Sequence, residues 1–453
     1  MKKITSIILG LMCTSAIAVA SSADSRVVAS PGAEGSDRYA TGGRDEVSFN
    51  RNFDDRTLRV DYIFSATPGG ERTVCLAGQS STDGWAGRRR RLAQLPLQGN
   101  GTVTVCSEAT GDTLYRTSFS SLYHEWLTTD EAAATPKAFE HSVLLPFPKA
   151  PVIISIDLLN NRHEPMAAMS YRFDPTDILI EKKGRGKMAP HRYIHKGGNP
   201  KDAIDVAILA EGYTREEMDD FYRHAAIAVE SILSHEPFKS KADKFNFVAV
   251  ATESEDSGVS VPRLDDWKST AFSSNFSTFY SDRYLTTLHV KDIHNAISGI
   301  PYEHIIILAN TDEYGGGGIY NSYTLTTARH KNFRPVVVHE FGHSFGGLAD
   351  EYFYEQEQEE SYPLDVEPWE PNITTLVDFD SKWKHLVKEE TPVPTPEKSA
   401  AIYPVGVYEG GGYTFKGVYR PADRCRMRDN DWPVFCPACE EALANLIDFY
   451  AGE

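Results

Sequence analysis

The residues best suited to chemistry stand close together, in the stretch His339-Glu340-Phe341-Gly342-His343. This is an HExxH pattern, and on an α-helix residues four apart lie one above the other on the same face. The two histidines can therefore present their imidazoles to one zinc ion. Glu340 stands beside the first histidine, where its carboxylate can take a proton from an attacking water and pass it to a leaving amine. The pattern predicts zinc-dependent hydrolysis of a peptide bond.

The residues around this pattern favour the helix that it needs. Pro335 suits a first helical turn, where its missing N–H costs no hydrogen bond. Val337, Phe341 and Phe345 recur every four residues on the side away from the histidines, so they can be buried against a sheet. Gly346-Gly347 is typical of a helix end. We therefore expect a short helix that packs on a sheet and exposes the two histidines.

A zinc site in a peptidase needs a third protein ligand and an open position for water. Asp350 is our candidate, because it follows the turn at the helix end and Gly347 can absorb one extra residue there. Glu351 is the next candidate, and the alternative is that Asp350 is only a surface acid. The extended metzincin pattern has its last histidine one residue earlier, where this chain has Ala349.

The chain divides into two regions of different composition, and the HExxH stretch lies in the second. Residues 21–185 contain short stretches of alternating hydrophobicity, such as Leu58–Phe64, which predict an all-β sandwich. A polar, glycine-containing segment at Glu181–Pro200 marks the expected boundary. From 186 to 453, buried strands such as Ile305–Ala309 alternate with helical segments, which predicts an α/β catalytic domain.

The N-terminus and the charge restrict the compartment and the partners. Residues 1–20 have the basic, apolar and small-residue order of a secretory signal peptide, so we expect an exported protein, whether periplasmic, cell-surface or secreted.

The chain carries 64 acidic and 46 basic residues, a net charge of −18. An acidic surface repels phosphate backbones, which argues against nucleic acid as a partner. No later stretch reaches the roughly 18 apolar residues of a membrane span. We interpret the basic run Arg88–Arg91 as a solvated face.

Five of the 6 cysteines lie beyond the expected signal peptide. Cys75 and Cys106 belong to the N-terminal region and can pair. Cys425, Cys436 and Cys439 cluster near the C-terminus, and the Cys-Pro-Ala-Cys spacing also suits half of a zinc site or a redox pair. In an exported protein we favour a structural disulfide within this trio, with its pairing left open. The competing hypothesis is a second metal site built from all three sulfurs.

The stretch from His339 to Tyr352 resembles the active-site signature of the bacterial IgA-peptidase-type zinc metallopeptidases, which are metzincin-like. Further segments that share the resemblance are Ala207–Tyr213, Gly406–Tyr413, Tyr419–Arg428 and Phe435–Cys439. The resemblance implies that His339, His343 and Asp350 bind zinc. It implies that Glu340 is catalytic, that Met427 forms an apolar floor beneath the zinc histidines, and that a β-rich domain precedes a metzincin-like peptidase domain. The immunoglobulin substrate of the family is not carried over to this chain.

Two functions are compatible with these patterns. The first is an exported zinc endopeptidase that acts on protein or peptide substrates. The alternative is a surface protein that binds glycan or protein and keeps a vestigial peptidase domain. Glu340 favours the enzyme, because a domain that only binds has no need of that carboxylate. Ile319–Thr324, which follows the glycine run Gly315–Gly318, is either an edge strand that pairs with an extended substrate or an ordinary exposed hairpin.

Overall fold

The computed structural model describes residues 47–186, 188–354 and 362–452, so the predicted signal peptide lies outside the described residues. Strands dominate the part before residue 186. They are β1 (Phe53–Ala66), β2 (Arg72–Asp83), β3 (Gly101–Ser107), β4 (Thr113–Phe119), β5 (Lys137–Pro148), β6 (Val152–Leu159), β7 (Pro165–Phe173) and β8 (Glu181–Lys182). Three short helices accompany them: α1 (Phe49–Asn52), α2 (Leu122–Trp126) and α3 (Asp130–Ala134).

These strands form two four-stranded sheets, with the orders β5-β1-β2-β8 and β4-β3-β6-β7. The pairing is antiparallel except between β2 and β8. The alternating apolar residues Leu58, Val60, Tyr62 and Phe64 of β1 are completely buried, as period-two hydrophobicity predicts. The sheets meet through aromatic contacts, since the rings of Phe64 on β1 and Phe119 on β4 stack with centroids 6.0 Å apart. The N-terminal part of the chain is therefore β-rich, as the sequence predicts, and its two sheets pack on each other in the manner of a sandwich.

The second part of the chain combines helices with a six-stranded sheet. Its strands are β9 (His191–Lys196), β10 (Ile204–Glu211), β11 (Phe245–Val250), β12 (His304–Ala309), β13 (Gly316–Ile319) and β14 (Tyr323–Thr327), followed by the hairpin of β15 (Tyr408–Gly411) and β16 (Thr414–Arg420). Its helices are α4 (Met218–Leu233), α5 (Val290–Ala296), α6 (Phe333–Ser344) and α7 (Pro437–Ala451). The sheet order is β13-β14-β12-β10-β11-β9. The four central strands run parallel, and an antiparallel strand closes each edge.

Both faces of this sheet are covered. On β10, Val206 and Ile208 belong to a core shared with α4, α6 and α7. Ala207 and Leu209, on the opposite face, belong to the core of the β-sandwich. Strands buried on both faces are apolar at nearly every position, which explains the almost continuous hydrophobic runs in this half of the sequence. The change from one sheet system to the other falls between β8 and β9, in the polar segment of the expected boundary, while the division into two domains stays a prediction.

A basic run of the sandwich joins it to the last helix. Arg88 is only 4% exposed, donates hydrogen bonds to the carbonyl oxygens of Leu92, Gln94 and Arg116, and lies over the ring of Phe449. Arg91 donates to the carbonyl oxygen of Asp448 at 2.5 Å, near the C-terminal end of α7. Cations at this end complement the helix dipole and its unpaired carbonyl groups. The interpretation of the run as a solvated face is therefore wrong for Arg88 and Arg91, although Arg90 is exposed.

The turn that leads into α4 is a capping box, in which the backbone N–H of Thr214 donates to Glu217 Oε2 at 3.0 Å. Within the ranges that the structure describes, none of the helices combines the length and the apolar character needed to cross a bilayer.

Candidate metal centre

Helix α6 carries the HExxH residues and is held by its apolar side. Val337, Phe341 and Phe345 are completely buried. Phe341 and Phe345 stack on each other with ring centroids 5.2 Å apart, and Phe238, which follows α4, packs against both. On another side the Thr324 hydroxyl on β14 donates to the carbonyl oxygen of Glu340 at 3.3 Å. The helix thus lies fixed on the sheet, with its histidine face turned away from the aromatic core.

The chain reverses immediately after α6. Gly347 has φ +59°, the left-handed conformation that glycine adopts without a steric penalty. The packing there is also tight, since a Cβ on Gly347 would lie 2.8 Å from the side chains of Leu97 and Trp369. This reversal carries Asp350 back towards the two histidines, which is the role the sequence predicts for the glycine.

Three donor atoms meet at this point. His339 Nε2 and His343 Nε2 lie 3.1 Å apart. Asp350 Oδ1 lies 3.0 Å from His339 Nε2 and 3.3 Å from His343 Nε2. The three atoms form a nearly equilateral triangle, and the side chains are almost buried, with exposures of 10%, 15% and 7%. The structure therefore brings together the three residues that the sequence proposes as ligands.

The second nitrogen of each imidazole, Nδ1, is hydrogen-bonded to a backbone carbonyl oxygen. His339 Nδ1 donates to the carbonyl oxygen of Arg426 at 3.0 Å, and His343 Nδ1 donates to that of Leu348 at 2.6 Å. A proton on Nδ1 leaves the Nε2 lone pair of a neutral imidazole directed at the other donors. Such outer contacts, which fix the tautomer and orientation of a histidine, are typical of metal ligands.

The residues present fit a zinc ion. Asp350 Oδ1 is a buried oxygen without a hydrogen-bond donor among the described residues, although two imidazole nitrogens face it. Three electron-pair donors at such distances repel one another unless a cation or a proton lies between them. The edge of a tetrahedron with metal–ligand bonds of about 2.0 Å is roughly 3.3 Å, close to the separations found here. The chemistry of the set, two imidazoles and one carboxylate, is also that of catalytic zinc.

The electrostatics of the cluster favour a cation. Burial opposes charge on His343, but the adjacent Asp350 carboxylate more than compensates and raises the pKa of His343 to about 9. Burial likewise opposes charge on Asp350, yet the two imidazoles hold the pKa of this carboxyl far below its usual range. The pocket therefore keeps an ionised carboxylate in the interior and attracts positive charge, whether a proton or a metal.

Glu340 lies beside His339, His343 and Asp350 and packs against β13, in which three of the four residues are glycine. A Cβ on Gly316 would lie 3.1 Å from Glu340 Oε1, and a Cβ on Gly318 would lie 2.2 Å from the carbonyl oxygen of Glu340. Strand β13 can therefore pass this close to α6 only because it has no side chains on that face. Burial raises the pKa of Glu340, while the neighbouring His339 and His343 act in the opposite direction. The carboxylate is therefore close to both imidazoles, and burial increases its affinity for a proton.

Met427 packs against the turn of α6 that contains Gly342. It is completely buried, and a Cβ on Gly342 would lie only 2.7 Å from its sulfur atom. The residue before it, Arg426, provides the carbonyl oxygen that orients His339. The loop around Met427 thus supports the HExxH turn through both its backbone and its thioether. This position agrees with the apolar floor implied by the family resemblance.

Tyr413 is a residue of the site that sequence reasoning missed. Its hydroxyl donates to Asp350 Oδ2, the carboxylate oxygen directed away from the histidines. Tyr413 itself has φ +63°, in the tight turn of the β15–β16 hairpin. The same turn holds the backbone of Asp350, whose carbonyl oxygen accepts from the N–H of Gly412 at 2.8 Å. The only available signal was the segment Gly406–Tyr413, which carries part of the family resemblance without indicating a role.

The second candidate ligand, Glu351, points elsewhere. Its carboxylate is completely buried, and Oε1 accepts from the Cys439 thiol at 3.1 Å and from Asn372 Nδ2 at 3.0 Å. The sulfur atoms of Cys425 and Cys439 lie 3.7 Å apart, far beyond the roughly 2.05 Å of a disulfide bond. Cys425, Cys436 and Cys439 are all free. The disulfide expected within this trio is therefore wrong, and Cys75 and Cys106, which lie in different sheets, are also unpaired.

Comparison with known protein families finds two family models that match this chain. The family model described as IgA Peptidase M64 matches residues 193–403, and the one described as Peptidase M64 N-terminus matches residues 48–170. The chain belongs to the M64 peptidase family, a family of metallopeptidases, and its substrates are accordingly proteins or peptides. The histidines, Glu340 and Asp350 all lie within the matched residues. A comparison with curated proteins finds no match.

Proposed function

We propose that this protein is an exported zinc endopeptidase, in which His339, His343 and Asp350 bind the metal and Glu340 is the general base. The observation that carries the proposal is the triangle of two Nε2 atoms and one Oδ1 atom, with sides of 3.0 to 3.3 Å. This triangle lies beside the carboxylate of Glu340, which belongs to α6 together with the two histidines. Zinc in such a site supplies Lewis-acid activation of water and of the peptide carbonyl.

The residues of the chain have separate tasks in this proposal. The carbonyl oxygens of Arg426 and Leu348 keep the Nε2 atoms of His339 and His343 directed at the metal. Glu340 accepts the proton of the attacking water as the general base. It then delivers the proton to the nitrogen of the leaving amine. One carboxylate thus serves as base in the first half of the reaction and as acid in the second.

The segment Ile319–Thr324 is neither an edge strand nor an exposed hairpin, because it is the turn from β13 into the internal strand β14, and Tyr320, Tyr323 and Thr324 are buried. The proposed binding edge for the substrate is therefore strand β13. It pairs with β14 and is the outermost strand of the sheet in the described chain. Its glycines bring the backbone directly against Glu340. A substrate that adds to this edge as an extended strand would form main-chain hydrogen bonds and present a peptide carbonyl close to the base. This mode binds the backbone, so the side chains that the enzyme prefers depend on the surrounding pockets.

Architecture and sequence support two further parts of the proposal. The α/β sheet, the turn with Gly347 and the buried Met427 under the HExxH helix are the features on which we base a metzincin-like catalytic domain. Export rests on residues 1–20 and predicts a mature N-terminus at residue 21 or close to it, which mass spectrometry of the protein from its native host would reveal.

A peptide library tests the proposed function. The purified chain is incubated with a degenerate library, with a zinc chelator, and with the chelator followed by added zinc. Cleavage that is lost on chelation and restored by zinc supports the proposal. Unchanged cleavage after complete removal of the metal would contradict it. A zinc-loaded chain that binds peptides or glycans but cleaves none would favour the alternative, a binding protein with a vestigial peptidase domain.

A further inference from the structure

A second group of potential metal ligands lies in the interior, away from solvent. Glu351, Cys425, Cys436 and Cys439 have exposures of 0%, 0%, 3% and 0%. One ligand atom from each residue lies within 4.8 Å of all the others. The three cysteines stand beyond the residues that match the M64 peptidase family model, which end at 403. The catalytic proposal uses none of these four side chains.

The spacing of the sulfur atoms suits a metal better than a covalent bond. Cys425 Sγ and Cys439 Sγ are 3.7 Å apart, and Cys439 Sγ is 3.1 Å from Glu351 Oε1. In a tetrahedral zinc site with zinc–sulfur bonds of about 2.3 Å, two sulfurs lie roughly 3.8 Å apart. A disulfide would require the two sulfurs to approach by more than 1 Å.

The cluster is also short of positive charge and hydrogen-bond donors. Glu351 Oε2 is buried and has no hydrogen-bond partner in the part of the chain that the structure describes. A buried polar atom without a partner costs free energy, and a buried carboxylate costs more. Arg420 is the cation whose charge acts on Glu351, but it forms its own ion pair with Glu397 at 2.7 Å. A divalent cation would satisfy the orphan carboxylate oxygen and the three sulfurs together.

The backbone around the cluster is arranged as it is around thiolate ligands. Cys425 Sγ accepts from the N–H of Cys436 at 3.2 Å and from that of Met427 at 3.5 Å. Cys436 is the N-cap of α7, and Cys439 lies in its first turn. Backbone N–H groups and the positive end of a helix dipole both stabilise thiolate over thiol. A metal-bound sulfur is deprotonated, and these contacts are the ones that a thiolate at Cys425 or Cys436 would need. Burial, by contrast, raises the pKa of Cys425 and Cys439.

We propose that Glu351, Cys425, Cys436 and Cys439 bind a second zinc ion, whose role is structural. Thiolates in a tetrahedral arrangement select zinc among the common divalent metals, and four protein ligands leave no position for water or substrate. The ion would join three segments at one point. These are the segment of Asp350, the loop of Arg426 and Met427 that supports His339, and the start of α7. It would thus stabilise the segments that position His339 and Asp350.

Metal analysis of the full mature chain tests this proposal. Wild-type protein should contain two zinc ions per chain, and the double variant His339→Ala/His343→Ala should keep one. X-ray absorption at the zinc edge of that double variant should show sulfur neighbours at about 2.3 Å. Cys436→Ser should lower the wild-type content from two ions to one. Cys75→Ser, which changes an exposed free cysteine, is the matched control and should leave both ions.

Thiol mapping keeps the proposal falsifiable if Cys436→Ser fails to fold. Denatured, metal-free wild-type protein that has never met a reductant is alkylated and digested. The proposal predicts three alkylated thiols at 425, 436 and 439. A disulfide between any two of them would overturn it. So would a double variant without zinc, or one whose remaining zinc has only nitrogen and oxygen neighbours. These outcomes leave the proposed peptidase activity untouched, because that activity depends on the first zinc site.

Discussion

The Nδ1 atom of His339 lies 3.0 Å from the carbonyl oxygen of Arg426, although the two residues are 87 positions apart in the chain. This hydrogen bond connects the HExxH helix to the loop that also places Met427 beneath it. The orientation of one proposed zinc ligand therefore depends on a segment near the C-terminus. Several consequences of this construction can be measured.

Tyr413→Phe should weaken zinc binding without removing a ligand. The variant loses the hydroxyl that donates to Asp350 Oδ2, so the carboxylate is held less firmly. Loss of such an outer contact typically lowers metal affinity by about 10- to 100-fold. Competition with a fluorescent zinc chelator measures the change. Tyr354→Phe is the control, since the Tyr354 ring stacks on that of Tyr413 with centroids 6.3 Å apart. Equal affinities of both variants and wild type would exclude a supporting role for the Tyr413 hydroxyl.

Gly316→Ala should lower kcat and leave zinc content unchanged. The new Cβ would lie 3.1 Å from Glu340 Oε1 and 3.3 Å from Glu340 Cγ, so the carboxylate must shift. Displacing a catalytic group by a fraction of an ångström is expected to cost about tenfold in rate or more. Gly186→Ala is the matched control, because a Cβ there meets no atom within 4 Å. Wild-type kcat in Gly316→Ala would show that Glu340 need not occupy the position described.

Gly342→Ala should destabilise the protein, although alanine is the better helix former by about 1 kcal/mol. The added Cβ would lie 2.7 Å from the sulfur of the buried Met427. Overpacking of this kind typically costs about 1–3 kcal/mol, so the free energy of unfolding should fall. Urea denaturation provides the measurement. In a Met427→Ala background the same substitution should lose its penalty. An equal penalty in both backgrounds would mean that Met427 does not press on the helix.

The metal-free protein should lose stability as the pH rises from 6.5 to 9. The folded-state pKa of His343 is raised from 6.5 to about 9, so its protonation stabilises the fold. That contribution is complete below pH 6.5 and disappears as the pH rises through 9. The urea midpoint of chelated wild type should therefore fall over this range more than that of chelated His343→Gln. Identical pH profiles for the two proteins would contradict the coupling between His343 and Asp350.

Local patterns in the sequence predict much of the fold and of the arrangement of His339, His343 and Asp350. The interval of four residues places both histidines on one helix face, and Gly347 allows the reversal that returns Asp350 to them. Tyr413 could not be found in this way, because its contact with Asp350 spans 63 residues and exists only after the β15–β16 hairpin has packed. The spacing of Cys436 and Cys439 indicates a pair of ligands or a bridge. Glu351, 88 residues from Cys439, becomes their neighbour only in the folded chain.

The interpretation of Arg88–Arg91 failed for a related reason. A run of like charges normally remains in solvent, and the sequence contains no sign of what covers this one. In the structure the run meets the carbonyl end of α7, more than 350 residues later. Local composition predicts the average environment of such residues, whereas tertiary packing decides the actual one.

Turnover by Glu340→Gln at full zinc occupancy tests whether Glu340 is the general base. The amide keeps the size and the hydrogen-bonding capacity of the side chain but cannot accept the proton of the attacking water. We predict wild-type zinc content and a loss of kcat of at least about 100-fold. Glu216→Gln, at an exposed position in the turn before α4, should behave as wild type. A zinc-loaded Glu340→Gln variant that cleaves peptide at a near-normal rate would exclude Glu340 as the general base.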